Sequence, residues 1–144
     1  MTMSLNARHR LATLPRYTAL NGEGFTGQAL ASARPSKLRF TRCSFAGADL
    51  RQATLDGCSF TFCDLSGAVL RGASLRGVSL SGCDLRDADL RDADLTDAAF
   101  GSVNSGRPPH GLTNVTGVRL EGAILRDVQL DDVIGWPAAA DPMA

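Results

Sequence analysis

The stretch from Leu38 to Phe100 repeats with a strict period of five. A Leu or Phe stands at every fifth position: Phe40, Phe45, Leu50, Leu55, Phe60, Leu65, Leu70, Leu75, Leu80, Leu85, Leu90, Leu95 and Phe100. Two residues before each stands a small or apolar side chain, from Leu38, Cys43 and Ala48 through to Ala98. Thirteen consecutive matches to one template mark a repeat architecture. Period five suits neither an amphipathic helix nor a half-buried strand. On a straight helix the Leu residues would wind round every side and leave no apolar stripe. A solenoid remains. Each pentad forms one short wall, its large and small residues point inward, and stacked repeats bury a shared axis.

The segments GADLR at 47–51, DADLR at 87–91 and DADLT at 92–96 resemble the pentapeptide-repeat family, whose consensus is A(D/N)LXX. The resemblance covers roughly two thirds of the chain. It implies an all-β fold, a right-handed quadrilateral β-helix with four pentads to a coil. Residues twenty apart would then stack at about 4.8 Å, giving about five coils and a rod on the order of 25 Å long. Phe40, Phe60, Leu80, Phe100 and Leu120 are expected to form one ladder, and Cys43, Cys63 and Cys83 another.

The 144 residues form a single domain with five segments. Residues 17–36 keep Leu20, Phe25 and Leu30 in register, but their inward partners are Thr18, Glu23 and Gln28, so they read as a cap or degenerate coil. Before them, the chain is frayed or makes a short helical turn around Ala7 to Leu14. Residues 38–100 are the regular coils. Gly recurs at the corners, at 47, 57, 67, 72, 77 and 82, then gives way to Asp87, Asp92 and Asp97. Both residue types suit tight turns. Residues 101–112 break the pattern with Pro108, Pro109 and no Leu at 105 or 110. They read as a loop that either replaces two sides of a coil or protrudes between two consecutive sides. The two prolines favour protrusion, because they cannot donate ladder hydrogen bonds. Residues 113–134 resume as a final coil, and 135–144 form a tail in which Trp136 is a lid over the last coil.

Charge is balanced, 15 basic residues against 15 acidic, which excludes a strongly basic nucleic-acid binder. All four Cys occupy the small inward slot, as reduced core thiols do. There is no Cys-x-x-Cys, no Cys/His cluster and no catalytic constellation, so neither metal, cofactor nor enzyme activity is expected. No apolar run reaches membrane-spanning length and the first thirty residues lack a signal-peptide core. The cytoplasm is the default.

Three surface features remain as candidate partner-binding sites. Arg51, Arg71 and Arg91 are twenty apart and would stack as a ladder, either as a solvated salt-bridge network or as a site for an acidic partner. Residues 84–97 form an acidic belt that includes Asp87, Asp92 and Asp94. The loop carries Asn104, Arg107 and His110. In the Qnr- and MfpA-type members of the family, an acidic rod imitates DNA and protects gyrase. The resemblance therefore implies a non-enzymatic protein-binding module whose most concrete role is protecting a type II topoisomerase from inhibitors. The alternatives are a scaffold unrelated to topoisomerases, and an enzyme or small-molecule binder that uses the loop. The short tail, with Pro137 and Pro142, does not favour the C-terminal helix through which some family members dimerise.

Overall fold

Five-residue phasing becomes four walls. The computed structural model describes residues 7–104, 106 and 111–137. After the helix α1 (Ala7–Thr13) come β1 (Ala19–Asn21), β2 (Arg39–Thr41), β3 (Ser59–Thr61), β4 (Ser79–Ser81), β5 (Ala99–Gly101) and β6 (Gln129–Leu130). They form one six-stranded parallel sheet in chain order. This is the strand face, and its inward residues are Leu20, Phe40, Phe60, Leu80, Phe100 and Leu130. Three further faces follow in each coil and pair with the next coil through isolated parallel bridges. The second face carries inward Phe25, Phe45, Leu65, Leu85 and Val115. The third carries Leu30, Leu50, Leu70, Leu90 and Leu120. The fourth carries Pro35, Leu55, Leu75, Leu95 and Leu125. The fold is thus the four-sided parallel β-solenoid that the repeat implies.

The core is a narrow column in which large and small inward residues alternate. Phe40 stacks on Phe60 and Phe25 on Phe45, each pair with ring centroids 4.9 Å apart, which is the spacing of adjacent coils. Ala48, Ala68 and Ala88 behind the third face are wholly buried.

The corners explain the rest of the pentad. From Tyr17 to Asp97 every fifth residue is left-handed, with φ between 52° and 71°. Gly takes this conformation freely and Asp more readily than most residues. After the second, third and fourth faces the corner closes as a hydrogen-bonded turn with the left-handed residue third, as in Ala48 N–H to Phe45 C=O at 3.0 Å. The Asp or Asn before the large residue braces the same turn. Its Oδ1 accepts the N–H two residues on, at Asp49, Asp64, Asp84, Asp89, Asp94 and Asn114. This is a physical reason for the D/N of the consensus. Asp87, Asp92 and Asp97 take the left-handed corner position itself, with φ of 59° to 62°.

The corner after the strand face lacks the turn bond. Here the thiols of Cys43, Cys63 and Cys83 donate to the Leu20, Phe40 and Phe60 carbonyls of the coil before, at 3.3, 3.4 and 3.2 Å. The Thr113 hydroxyl continues the column to the Leu80 carbonyl at 3.2 Å. The Cys ladder is present as expected, and Cys rather than Ala sits there because a donor is useful.

Gly101 ends wall strand β5, and the wall resumes after Leu112 with ten extra residues in the register. Pairs before them are offset by twenty residues, as in Leu80↔Phe100, and pairs across them by thirty, as in Phe100↔Leu130, Asp84↔Asn114 and Asp94↔Ile124. Ten residues therefore leave the coil at one corner. Their neck is antiparallel, with Ser102 bridging Leu112 and Val103 N–H bonding Gly111 C=O at 2.8 Å. The expected place of Leu120 above Phe100 is corrected accordingly. Leu130 stands there, and Leu120 lies on the third face after Leu90, where Arg119 bridges Asp89.

The first coil is also complete, with Ala19, Gly24 and Ala29 paired to Arg39, Ser44 and Asp49. Of its polar residues in the inward register, Gln28 is exposed and Thr18 and Glu23 are half-buried, and α1 supplies a partner for Glu23. Leu11 is buried in the core and Arg10 pairs with Glu23 through both guanidinium nitrogens. At the other end the Trp136 ring meets Phe100 edge to face at 5.3 Å. No helix among the described residues is long and apolar enough to cross a membrane.

Candidate functional site

Each pentad has three outward positions, so the four faces sort the charged residues. On the third face Arg51, Arg71 and Arg91 do stack in one column. They are not a bare cation ladder. Arg51 and Arg91 each grip the Asp two residues earlier with Nε and Nη2, at 2.7 to 2.9 Å, while that Asp also braces the turn. The Arg91 guanidinium holds the Asp89 carboxyl down at about 2. Arg51 holds Asp49 below the usual carboxylate range. Arg71 reaches Asp92 at 3.7 Å. A shallow recess of about 310 Å³ runs along this corner, lined by Ser32, Arg51, Gln52, Arg71, Gly72 and Asp92. The structure thus brings Arg51, Arg71 and Asp92 together.

The acidic belt divides in the same way. Asp84 binds Arg86 bidentately on the second face, and Arg86 lowers its pKa. Asp94 accepts the Thr96 hydroxyl at 2.6 Å and lies 3.9 Å from Arg76. Asp87 and Asp92 are corner residues whose side chains lie across Gly117 and Gly122 of the next coil. A Cβ at either glycine would come within 2.2 Å of the Asp oxygen. Only part of the belt is free acid.

The loop leaves at the corner between the strand face and the second face. That corner is diagonally opposite the recess, so loop and Arg ladder do not form one site. Asn104 is exposed and accepts the Gly106 N–H at 3.1 Å. Arg107 and His110 lie outside the described residues. Burial pushes the Cys43 and Cys58 thiols up, Cys58 to about 11, and all four thiols are buried and free. Among the described residues no group of His, Cys, Asp or Glu is arranged to hold a metal ion.

The strand face holds charges that the sequence reading did not single out. Arg39 opens β2 and Lys37 and Arg42 flank it, while Asp127, Asp131 and Asp132 flank β6. Between them the outward residues of the strands themselves are small: Ser59 and Thr61 on β3, Ser79 and Ser81 on β4, Ala99 and Gly101 on β5. At the corners beside these strands stand exposed Asp97 and the ring of Phe62, over which the Arg42 guanidinium lies at 5.2 Å. None of the six charged residues at β2 and β6 makes an ion pair among the described residues. The signal was a count. Residues 1–81 carry ten basic against four acidic residues, and 82–144 carry five against eleven, so the halves are +6 and −6.

Residues 36–106 match the pentapeptide repeat region family profile. No curated protein matches the sequence significantly. Among solved structures, a pentapeptide repeat protein (Rfr23) from the cyanobacterium Cyanothece is similar over 92% of this chain and 100% of its own, at 18% identity and TM-score 0.74. A pentapeptide repeat protein of the Arabidopsis thaliana thylakoid lumen is 26% identical over 80% of this chain and 70% of its own, with TM-score 0.64. A trypsin-treated variant of QnrB1, a plasmid-mediated fluoroquinolone resistance protein, gives 21% identity and TM-score 0.48, over 82% and 72% of the two chains. The pentad register of residues 38–100, the four-sided coil and the profile match mark residues 36–106 as a pentapeptide repeat region.

Proposed function

We propose that this chain is a non-enzymatic protein-binding rod that engages its partner through the loop at residues 101–112. The observation that supports this is the change of register from twenty to thirty across the loop. Ten residues are held off a rigid wall by a two-rung neck, at no cost to the pairing on either side. A loop carried on a rigid scaffold is a common place for recognition. The acidic belt supports a binding role less well, because Arg86 and Arg91 are built into it.

The most specific form of the proposal is protection of a type II topoisomerase, which rests on the resemblance to Qnr- and MfpA-type proteins. The test is gyrase supercoiling, and fluoroquinolone-induced cleavage, with and without the purified protein. Protection that is lost on deletion of residues 102–111, with an unchanged unfolding midpoint, is the expected result. Full protection by the deletion would remove the loop as the binding element. An intact protein without effect on gyrase would end the topoisomerase role and leave a scaffold for another protein.

A further inference from the structure

The strand face is self-complementary under one symmetry operation. Take a two-fold axis lying in the plane of the face, along the β4 strand direction. It reverses the rod but keeps the strand direction. Residues of β4 then face their own copies, those of β3 face β5, and those of β2 face β6. Lys37 falls opposite Asp127 of a second copy and Arg42 opposite Asp132. Thr41 falls opposite Asp131, and Arg39 opposite Gln129, next to that Asp131. The two charged groups are four strand spacings apart, about 19 Å, on a single copy. That exceeds the screening length of about 8 Å at physiological salt, so they cannot neutralise each other within one molecule. The outward residues of β3, β4 and β5 are small enough for two faces to approach along the middle of the strands, with Phe62 at one edge and Asp97 at the other. Opposite charges at the two ends make the face complementary to a reversed copy of itself, as an isologous interface requires.

We propose that this protein forms an antiparallel two-fold dimer through its strand face, with Lys37 and Arg42 of each copy paired to Asp127 and Asp132 of the other. The face measures about 24 by 15 Å, or roughly 400 Å² per copy by strand spacing. That lies below the roughly 800 Å² per partner of a stable complex, so the dimer is weak and held by charge. Its formation is independent of what the loop binds. The operation carries both Ser102 corners to one edge of the pair, so the two loops leave side by side.

The experiment is sedimentation equilibrium from about 10 to 500 μM at low ionic strength, repeated at about 0.3 M salt. The wild type should move from monomer toward dimer, with Kd at least about tenfold weaker in high salt. Two charge-reversed proteins test the register. One carries Lys37→Glu, Arg39→Glu and Arg42→Glu, and so presents acid at both ends of the face. The other carries Asp127→Lys, Asp131→Lys and Asp132→Lys, and presents base at both ends. Each alone should stay monomeric, and an equimolar mixture should dimerise again. Ser79→Cys lies on the axis and should cross-link the wild-type dimer under mild oxidation. If the triple variants fold poorly, the single pair Arg42→Glu and Asp132→Lys makes the same comparison. A wild type monomeric throughout overturns the proposal. So does a dimer indifferent to both reversals, a mixture of monomers, or growth past dimer with concentration, which signifies end-to-end stacking.

Discussion

The third face and the strand face are made of the same pentads and use charge in opposite ways. On the third face Asp and Arg are two residues apart, so each pair completes itself as its own turn forms. Asp89 accepts a backbone N–H and both arms of Arg91 while only 15% of its side chain is exposed. Such a pair belongs to the wall. On the strand face the opposite charges are four coils apart: the three Asp and Arg42 are exposed, with Arg42 laid over the Phe62 ring, and Lys37 is half-buried. The difference teaches that charge content says little about a solenoid surface. What matters is whether the opposite charge falls within one pentad, where it is consumed by folding, or several coils away, where it is left for another molecule.

The largest effect expected from this contrast is in the core behind the two faces. Small slots under the third face hold Ala48, Ala68 and Ala88, whereas those leading into the strand face hold Leu38, Cys58, Val78, Ala98 and Val128. Ala88→Leu should therefore overpack and lose about 1–3 kcal/mol in urea unfolding, while Ala98→Val should lose under about 1 kcal/mol. Equal losses would show that the column is uniform.

Next in size is Asp89→Asn, which keeps an acceptor for the turn but loses the ion pair. It should cost on the order of 1 kcal/mol at pH 7, allowing for partial solvent screening. The sign follows from the depressed pKa. The stabilisation is full above the unfolded carboxyl pKa of about 3.9 and is lost as pH falls toward the folded value of about 2. The parent should thus lose stability between about pH 4 and 2, and the Asn variant should lose less over that window. Parallel acid limbs for the two proteins would contradict the assignment.

At the corner after the strand face, Cys83→Ala should cost about 1 kcal/mol by removing a buried donor and part of its packing. Cys83→Thr should recover much of that, because Thr113 already fills the next place in the column with a hydroxyl. A Thr variant no better than Ala would mean that the S–H contact is incidental. All four thiols should resist alkylation until the protein is unfolded. The smallest effect is expected for Asp132→Asn, whose carboxylate makes no ion pair among the described residues. Its stability should stay within about 0.5 kcal/mol of the parent.

Much of this was legible in the residues. The period of five gave the solenoid, the inward Leu and Phe, and the Cys column. Charge placement was less legible, because it depends on a register the period does not contain. Had residues 101–112 replaced two sides of a coil, Leu130 and its neighbours Asp127, Asp131 and Asp132 would lie on the third face. Only the offset of thirty brings them back over β5 and opposite in sign to the Lys37 end. Glu23 looked wrong for a core position because its partner Arg10 comes from a helix outside the repeat. The stacked Arg column was read correctly as geometry, but the grip of each Asp on its own turn cannot be seen from a spacing of twenty.

The corner that releases the loop can also be considered as a loop-closure problem. Pairing across it closes thirty residues where every other coil closes twenty. Chain entropy grows only with the logarithm of length, so the difference is about 0.4 kcal/mol, and doubling a loop again adds only about 0.6 kcal/mol. The excursion need not be a multiple of five either, since it never enters the wall. This corner is therefore a port: segments of widely different length can be spliced in there at nearly constant stability, while a five-residue insertion anywhere in the wall would turn every later side through a quarter of the coil.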